Sequence, residues 1–293
     1  MINLELYGKQ LASWLGLLDI AELMPEGWTL AGGQLVYMHL TDRGSNDSRP
    51  TNDIDAVIDV RGRLNTPVQE FAATLTKVGF IPVVGDPSGN THRWVRGDAT
   101  IDILIPRFLR DGVSDGTRSE AGRITTIATA GGQFLLDRSL PTRVNVSGHE
   151  AVINAPDLLG AMYGKASALL NVGDVNKERH VEDLLLLAAV ADHRELQSFI
   201  SLSSRQQGRL LNSLRYALNR QSLWHTNEPA IIRSRQFIES AELIALNTDR
   251  KAEKPRLSGK SSLGEYLANR TVGTPRQSDA DSTTKRIDKR FGR

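Results

Sequence analysis

Residues Thr29 to Val60 read TLAGGQLVYMHLTDRGSNDSRPTNDIDAVIDV, and the order of residue types in this stretch decides the fold. A short β-type run, Trp28 to Ala31, meets Gly32 and Gly33. A helical run from Gln34 to Leu40 follows, then a polar loop, then a β-type run from Ile54 to Val60 entered through Asp53-Ile54-Asp55. Adjacent glycines between strand and helix let the backbone approach a ligand, and the open N–H groups of a helix start favour an anion such as phosphate. The same pair also makes an ordinary tight turn, so it needs support from elsewhere. In a strand, residues i and i+2 point to one face, so Asp53 and Asp55 project together while Ile54 points inward. Two adjacent carboxylates repel, which raises a pKa or demands a cation, and hard divalent ions take carboxylate oxygens together with phosphate oxygens.

A third acid strengthens that reading. Thr100 to Pro106, TIDILIP, is an apolar strand with one carboxylate, Asp102, in its middle. Alternation puts Ile101, Ile103 and Ile105 on the core face and Asp102 with Thr100 and Leu104 on a mixed face, as the wall of a cleft requires, because an unpaired buried charge is costly. Three carboxylates on neighbouring strands beside a glycine turn are the parts needed for metal-assisted in-line displacement on a nucleotide.

The rest of the chain sets the frame. Its 293 residues allow about two domains, and 40% hydrophobic and 24% charged residues are ordinary globular usage. No apolar run approaches the roughly 20 residues of a membrane-spanning helix. The opening MINLELYGKQ has no basic segment followed by an apolar one, so a cytoplasmic location is expected. The absence of cysteine excludes disulfides, thiolate nucleophiles, Cys-type zinc sites and iron–sulfur clusters.

Up to about residue 153 the pattern is mixed α and β. Further strands are predicted at Ile81 to Val84, His92 to Val95, Ile124 to Ala128 and Val144 to Val146, with helices at Leu4 to Leu17 and Thr66 to Val78. Residues 154–247 carry apolar residues at three and four residue spacing in four segments, Asp157 to Leu170, Val175 to Val190, Arg205 to Asn219 and Glu228 to Leu246. The expected class is α+β, a mixed-sheet domain (1–153) followed by a helical C-terminal domain (154–247). Residues 248–293 have few large apolar side chains and read as a basic, flexible tail, with a possible docking helix at Ser262 to Asn269. From Asp249 onward there are 12 Lys/Arg against 6 Asp/Glu, which leaves 24 against 28 before it.

Two further segments bear on function: Ala161 to Ala166, AMYGKA, and Arg179 to Leu184, RHVEDL. Together with Gly32-Gly33, Asp53-Ile54-Asp55 and Asp102 they follow the motif order of the polymerase-beta-type nucleotidyltransferase superfamily. The chain resembles in particular the AbiEii and MenT toxin family, over roughly Thr29 to Leu187. Gln34 stands where that family commonly has Ser or Thr, and His180 where an Asp is usual. The resemblance implies a nucleotidyltransferase domain in the first half, with Asp53, Asp55 and Asp102 holding Mg²⁺ (or Mn²⁺). It implies that Gly32, Gly33, Thr51 and Lys165 bind a nucleoside triphosphate, and that Asp183 orients the nucleotide or completes the site. It further implies that Asp102 helps deprotonate the attacking hydroxyl. The product would be a transfer RNA whose 3′ end carries an added nucleotide, blocking translation, and a cognate antitoxin protein would be the neutralising partner.

Competing chemistries lack their marks. No Gly-x-Ser-x-Gly elbow, Walker loop or His-x-x-x-His spacing occurs, and the histidines other than His180 read as ordinary polar or partly buried residues. Arg205, Arg209, Arg215, Arg220, Arg233 and Arg235, with Tyr216 and Trp224 among them, suit nucleic acid as readily as a solvated helix face. Two alternatives stay open: an antibiotic-modifying nucleotidyltransferase with a small hydroxylated acceptor, and an inactive RNA-binding protein on the same fold.

Overall fold

The computed structural model describes residues 1–61, 66–83, 91–107, 118–121, 124–170, 177–220 and 228–257. Residues Met1–Asp249 form one compact unit and Arg250–Arg293 a second. The class is α+β with mixed sheets.

The larger sheet is built around β3 (Asp53–Ile58) and β6 (Ala99–Pro106), which run parallel, with β2 (Trp28–Ala31) antiparallel on the far side of β3. Beyond β6 the sheet divides. Its first half pairs with β5 (Arg93–Arg96), which pairs with β4 (Ile81–Pro82); its second half pairs with β8 (Ile124–Thr129), which pairs with β7 (Arg118–Ala121). A parallel pair must be buried on both faces. Here Ile54, Ala56, Val57, Ile58, Ile101 and Ile103 are all fully buried.

The smaller sheet joins β1 (Ile2–Leu4), β9 (Ser139–Val146) and β10 (His149–Pro156). Thr29 Oγ1 meets Ser139 Oγ at 2.7 Å, which joins the two sheets, and at the surface Asn154 Nδ2 donates to the Pro25 carbonyl ahead of β2 at 2.6 Å. His39 does the same work from α2 (Gly32–Asp42): its Nε2 lies 2.9 Å from the Pro156 carbonyl. Burial pushes its imidazole down to about 4, so it is neutral and donates.

Helix α1 (Gly8–Leu23) lies against β6, and the Ser13 hydroxyl accepts from the Thr100 N–H at 2.9 Å. Helices α3 (Thr66–Lys77) and α4 (Gly132–Asp137) complete this half. The helical segment follows β10: α5 (Leu158–Leu169), α6 (Lys177–Val190), α7 (His193–Ile200) and α8 (Ser204–Leu218) lie in the same unit, and α9 (Glu228–Leu257) begins in it and runs past its end at Asp249. The Asp157 carboxylate caps α5 by accepting from the Gly160 N–H at 2.8 Å. The Leu184 to Leu187 run is buried all round, which is why α6 lacks a polar face there. Arg43, just past α2, donates to Asp192 and Glu195 at 2.9 and 2.8 Å and so ties α2 to the capping box of α7.

Most predicted elements lie where the pattern puts them. The differences are elements too short for a period to register, namely β1, β7, α4 and α7, and the Ser139–Pro156 hairpin, of which the pattern shows only Val144 to Val146. In addition α1 runs Gly8–Leu23 and not Leu4 to Leu17, with Leu4 in β1, and α9 continues past Leu246 to Leu257, so the first residues of the expected flexible tail are helical. Val84, Trp224 and the Ser262 to Asn269 segment lie outside the described residues, as does most of the tail.

Candidate active site

The strand register builds the site. Asp55 and Asp102 are direct partners in the parallel β3–β6 pair, and Asp53 lies two residues before Asp55 on the same face. All three line a cleft of about 350 Å³ together with Gly32, Gly33, Thr51 and Lys165. Seven of the eight expected site residues therefore meet. Asp183 does not line the cleft and lies behind it.

The glycine turn is shaped around these acids. Gly32 has φ +69°, a left-handed conformation that disfavours side chains, and a Cβ there would fall 1.7 Å from Asp55 Oδ2. The carboxylate thus occupies the space that glycine leaves empty. At Gly33 a Cβ would come within 2.9 Å of Thr51 Oγ1 and 3.0 Å of an Arg49 nitrogen. No side chain caps α2, so the N–H groups of its first turn stay available to an anion. Thr51 donates its hydroxyl to Asp53 at 3.0 Å, which orients that carboxylate.

Gln34, the residue out of keeping with the resembled family, faces away from the cleft. It is fully buried; its Oε1 accepts from Trp14 Nε1 at 2.8 Å and Gln10 Nε2 at 3.0 Å, and its Nε2 donates to the Thr51 carbonyl at 2.7 Å. It is a strut between α1 and the loop that delivers Asp53.

The opposite wall is cationic. Lys165, on α5, is only 6% exposed, where a helix-surface lysine is the simpler expectation, and its Nζ lies 2.7 Å from Asp183 Oδ2. Arg49 grips the same carboxylate with Nε at 3.0 Å and Nη2 at 3.2 Å. Asp183 is 1% exposed. Burial pushes its carboxyl up, but the charges and hydrogen bonds of Lys165 and Arg49 outweigh that and hold it below its ordinary value. Asp183 therefore acts through these two cations, and the break between α5 and α6 does not prevent the meeting. Arg179 and His180 also line the cleft.

The acids differ among themselves. Burial first, then the charges of Asp102 and Asp53, push the Asp55 carboxyl up to about 7, with Lys165 and Arg179 opposing. Asp102 is engaged by Arg93, its register partner on β5: Nε donates to Oδ1 at 2.9 Å and Nη2 to Oδ2 at 2.7 Å. The same Nη2 lies 3.4 Å from Asp53 Oδ2. Both Asp102 oxygens thus accept from one guanidinium, an arrangement that sequence patterns do not reveal.

No family model, curated protein or solved structure matches the chain. Function therefore rests on the chemistry of the cleft.

Among the described residues no group of three His, Asp or Glu side chains is gathered so as to hold a metal ion as it stands. Arg93 lies across two of the three carboxylates. The donor set nonetheless suits a hard divalent cation, since it is all oxygen, sits on adjacent strands and includes a carboxyl already destabilised by its neighbours. Arg49 and Arg93 are not singled out by any motif. The usable signals are the alternation of Arg93 with buried Trp94 in a short strand, and the place of Arg49 in the loop leading to Asp53.

Arg215 donates to Glu242 at 2.7 Å, and Arg220 covers the Tyr216 ring at 4.3 Å, so the charge of one and the ring of the other are used within the fold. No helix of the described residues is long and apolar enough to cross a membrane.

Proposed function

We propose that this chain is a nucleotidyltransferase of the AbiEii and MenT kind, moving a nucleoside monophosphate from a triphosphate to the 3′ end of a transfer RNA. The observation that carries the reading is the pairing of Asp55 with Asp102 across β3 and β6, facing a wall of Lys165, Arg49 and Arg179 with uncapped helix N–H groups between. Carboxylates on one side and fixed cations on the other match a substrate that is itself a polyanion carrying a metal.

In this reading the acceptor hydroxyl oxygen attacks the α-phosphorus, a new P–O bond forms, and the bond to the bridging oxygen breaks to release pyrophosphate. Asp53, Asp55 and Asp102 would hold Mg²⁺, which lends Lewis-acid charge to the triphosphate when bound. Lys165 and Arg49, fixed by Asp183, bind phosphate oxygens with little reorganisation, and Gly32 and Gly33 let the α2 backbone come close. The hydroxyl proton passes to Asp102 once Arg93 has left it. A neutralising protein partner belongs to the same proposal.

Incubation with Mg²⁺, total transfer RNA and each α-³²P ribonucleoside triphosphate tests this, with Asp55→Ala alongside. Label entering RNA with the wild type and lost in the variant is expected. No labelled RNA with any triphosphate overturns the transfer RNA reading, and transfer to a small hydroxylated acceptor instead would identify a small-molecule enzyme.

A further inference from the structure

Of the three arginines that line the cleft, Arg49 and Arg93 are held very differently. Arg49 is clamped on Asp183, a counter-charge 1% exposed and shared with Lys165. Arg93 is 45% exposed along its side chain and reaches inward from the rim of the cleft. Its backbone is anchored by β5 pairing and by buried Trp94, while its guanidinium can turn to solvent without opening the core. In its present position it takes both oxygens of Asp102 and approaches Asp53. Each oxygen keeps a second lone pair, but a dication bound to either carboxylate would stand beside the guanidinium, and the two positive charges repel, so metal and Arg93 compete for the pair.

We infer that Arg93 is a resident cation that keeps Asp102 and Asp53 from binding metal alone and hands them over when its guanidinium finds triphosphate oxygens, so that metal and nucleotide bind as a coupled pair. The inference rests on the nucleotidyltransferase reading and names a positioning residue for it. A planar guanidinium suits both partners, because carboxylate and phosphate present the same paired oxygens to it. Lysine, a point charge with three rotatable donors, cannot span Asp102 and Asp53 in the same way. In the free protein the arrangement also offsets repulsion between Asp102 and Asp53.

The test is Mn²⁺ binding to the full chain without nucleotide, followed by electron paramagnetic resonance, for wild type, Arg93→Ala and Arg93→Lys. Coupling free energies between sites typically correspond to about 5- to 150-fold in affinity. Arg93→Ala is expected to bind Mn²⁺ at least about tenfold more tightly than wild type, with Arg93→Lys between them. A damaged fold does not raise metal affinity, so the direction of change separates this role from a structural one. Adding an α,β-methylene ribonucleoside triphosphate should strengthen Mn²⁺ binding more in wild type than in Arg93→Ala. Equal Mn²⁺ affinity in wild type and both Arg93 variants, with binding still weakened by Asp53→Ala and Asp102→Ala, overturns the role of Arg93 and leaves the metal site standing. Mn²⁺ affinity indifferent to the carboxylates as well overturns the metal-dependent reading and this inference with it.

Discussion

Asp55 carries the cost of the site at the scale of single residues. Its carboxyl binds a proton more tightly in the folded chain, at about 7, than in the unfolded chain near the ordinary Asp value. The folded state therefore loses stability as pH rises from about 4 through 7, and the full penalty is present above that range. Asp55→Asn cannot ionise and escapes it. Thermal melts should show the variant above wild type at pH 8, by about 2–4 °C for each kcal/mol recovered, with the difference gone at pH 4. A wild-type advantage at pH 8 without added metal would contradict the penalty. Asp183 is the opposite case. Asp183→Asn leaves Lys165 and Arg49 without their buried counter-charge, a loss of about 3–5 kcal/mol in a denaturant titration. It should also abolish transfer although the residue does not line the cleft.

At the scale of elements, the start of α2 controls the position of β3. Gly32→Ala drives a methyl group into Asp55 in a left-handed backbone position. Gly44 is the natural control, with φ +71° and no atom within 4 Å of where a Cβ would stand. Gly44→Ala should cost only the backbone strain of about 1–2 kcal/mol, whereas Gly32→Ala should cost more and also lose nucleotide binding, read by calorimetry with Mn²⁺ present. Similar losses at both positions would mean that the Asp55 contact contributes nothing. The acids themselves are legible in the sequence because Asp53, Asp55 and Asp102 interrupt apolar strands with period two, a local pattern. Register is not local: nothing in the text around residue 55 or 102 says that they pair. Arg93 and Arg49 are hidden for a related reason, since an arginine in a loop or on a two-faced strand looks the same whether it meets solvent or a carboxylate. Short elements such as β1 and α7 offer too few residues for a period, and α7 is specified by its capping box and by Arg43 from a distant helix.

At the scale of the molecule, charge is divided along the chain. The last 44 residues beyond Asp249 hold 12 of the 36 Lys/Arg, and the residues before them have an excess of acid. The logarithm of an RNA affinity that depends on these basic residues falls linearly with the logarithm of salt concentration, with a slope of about 0.7–0.9 per phosphate neutralised. Removing residues 250–293 should flatten that slope and weaken RNA binding while leaving Mn²⁺ and nucleotide binding to Met1–Asp249 intact. An unchanged slope would move the RNA contact to the compact unit.

The ion-paired cluster behind the cleft joins residues 134 positions apart, Arg49 and Asp183, with Lys165 between them in sequence. Chains fold from the N-terminus as they leave the ribosome. A nascent chain that has emerged as far as β10 can pair β3 with β6 and so present its acids, yet it lacks the lysine and the buried aspartate of the cationic wall. Synthesis thus has an interval in which the carboxylates can stand on their paired strands before the cationic cluster that faces them exists.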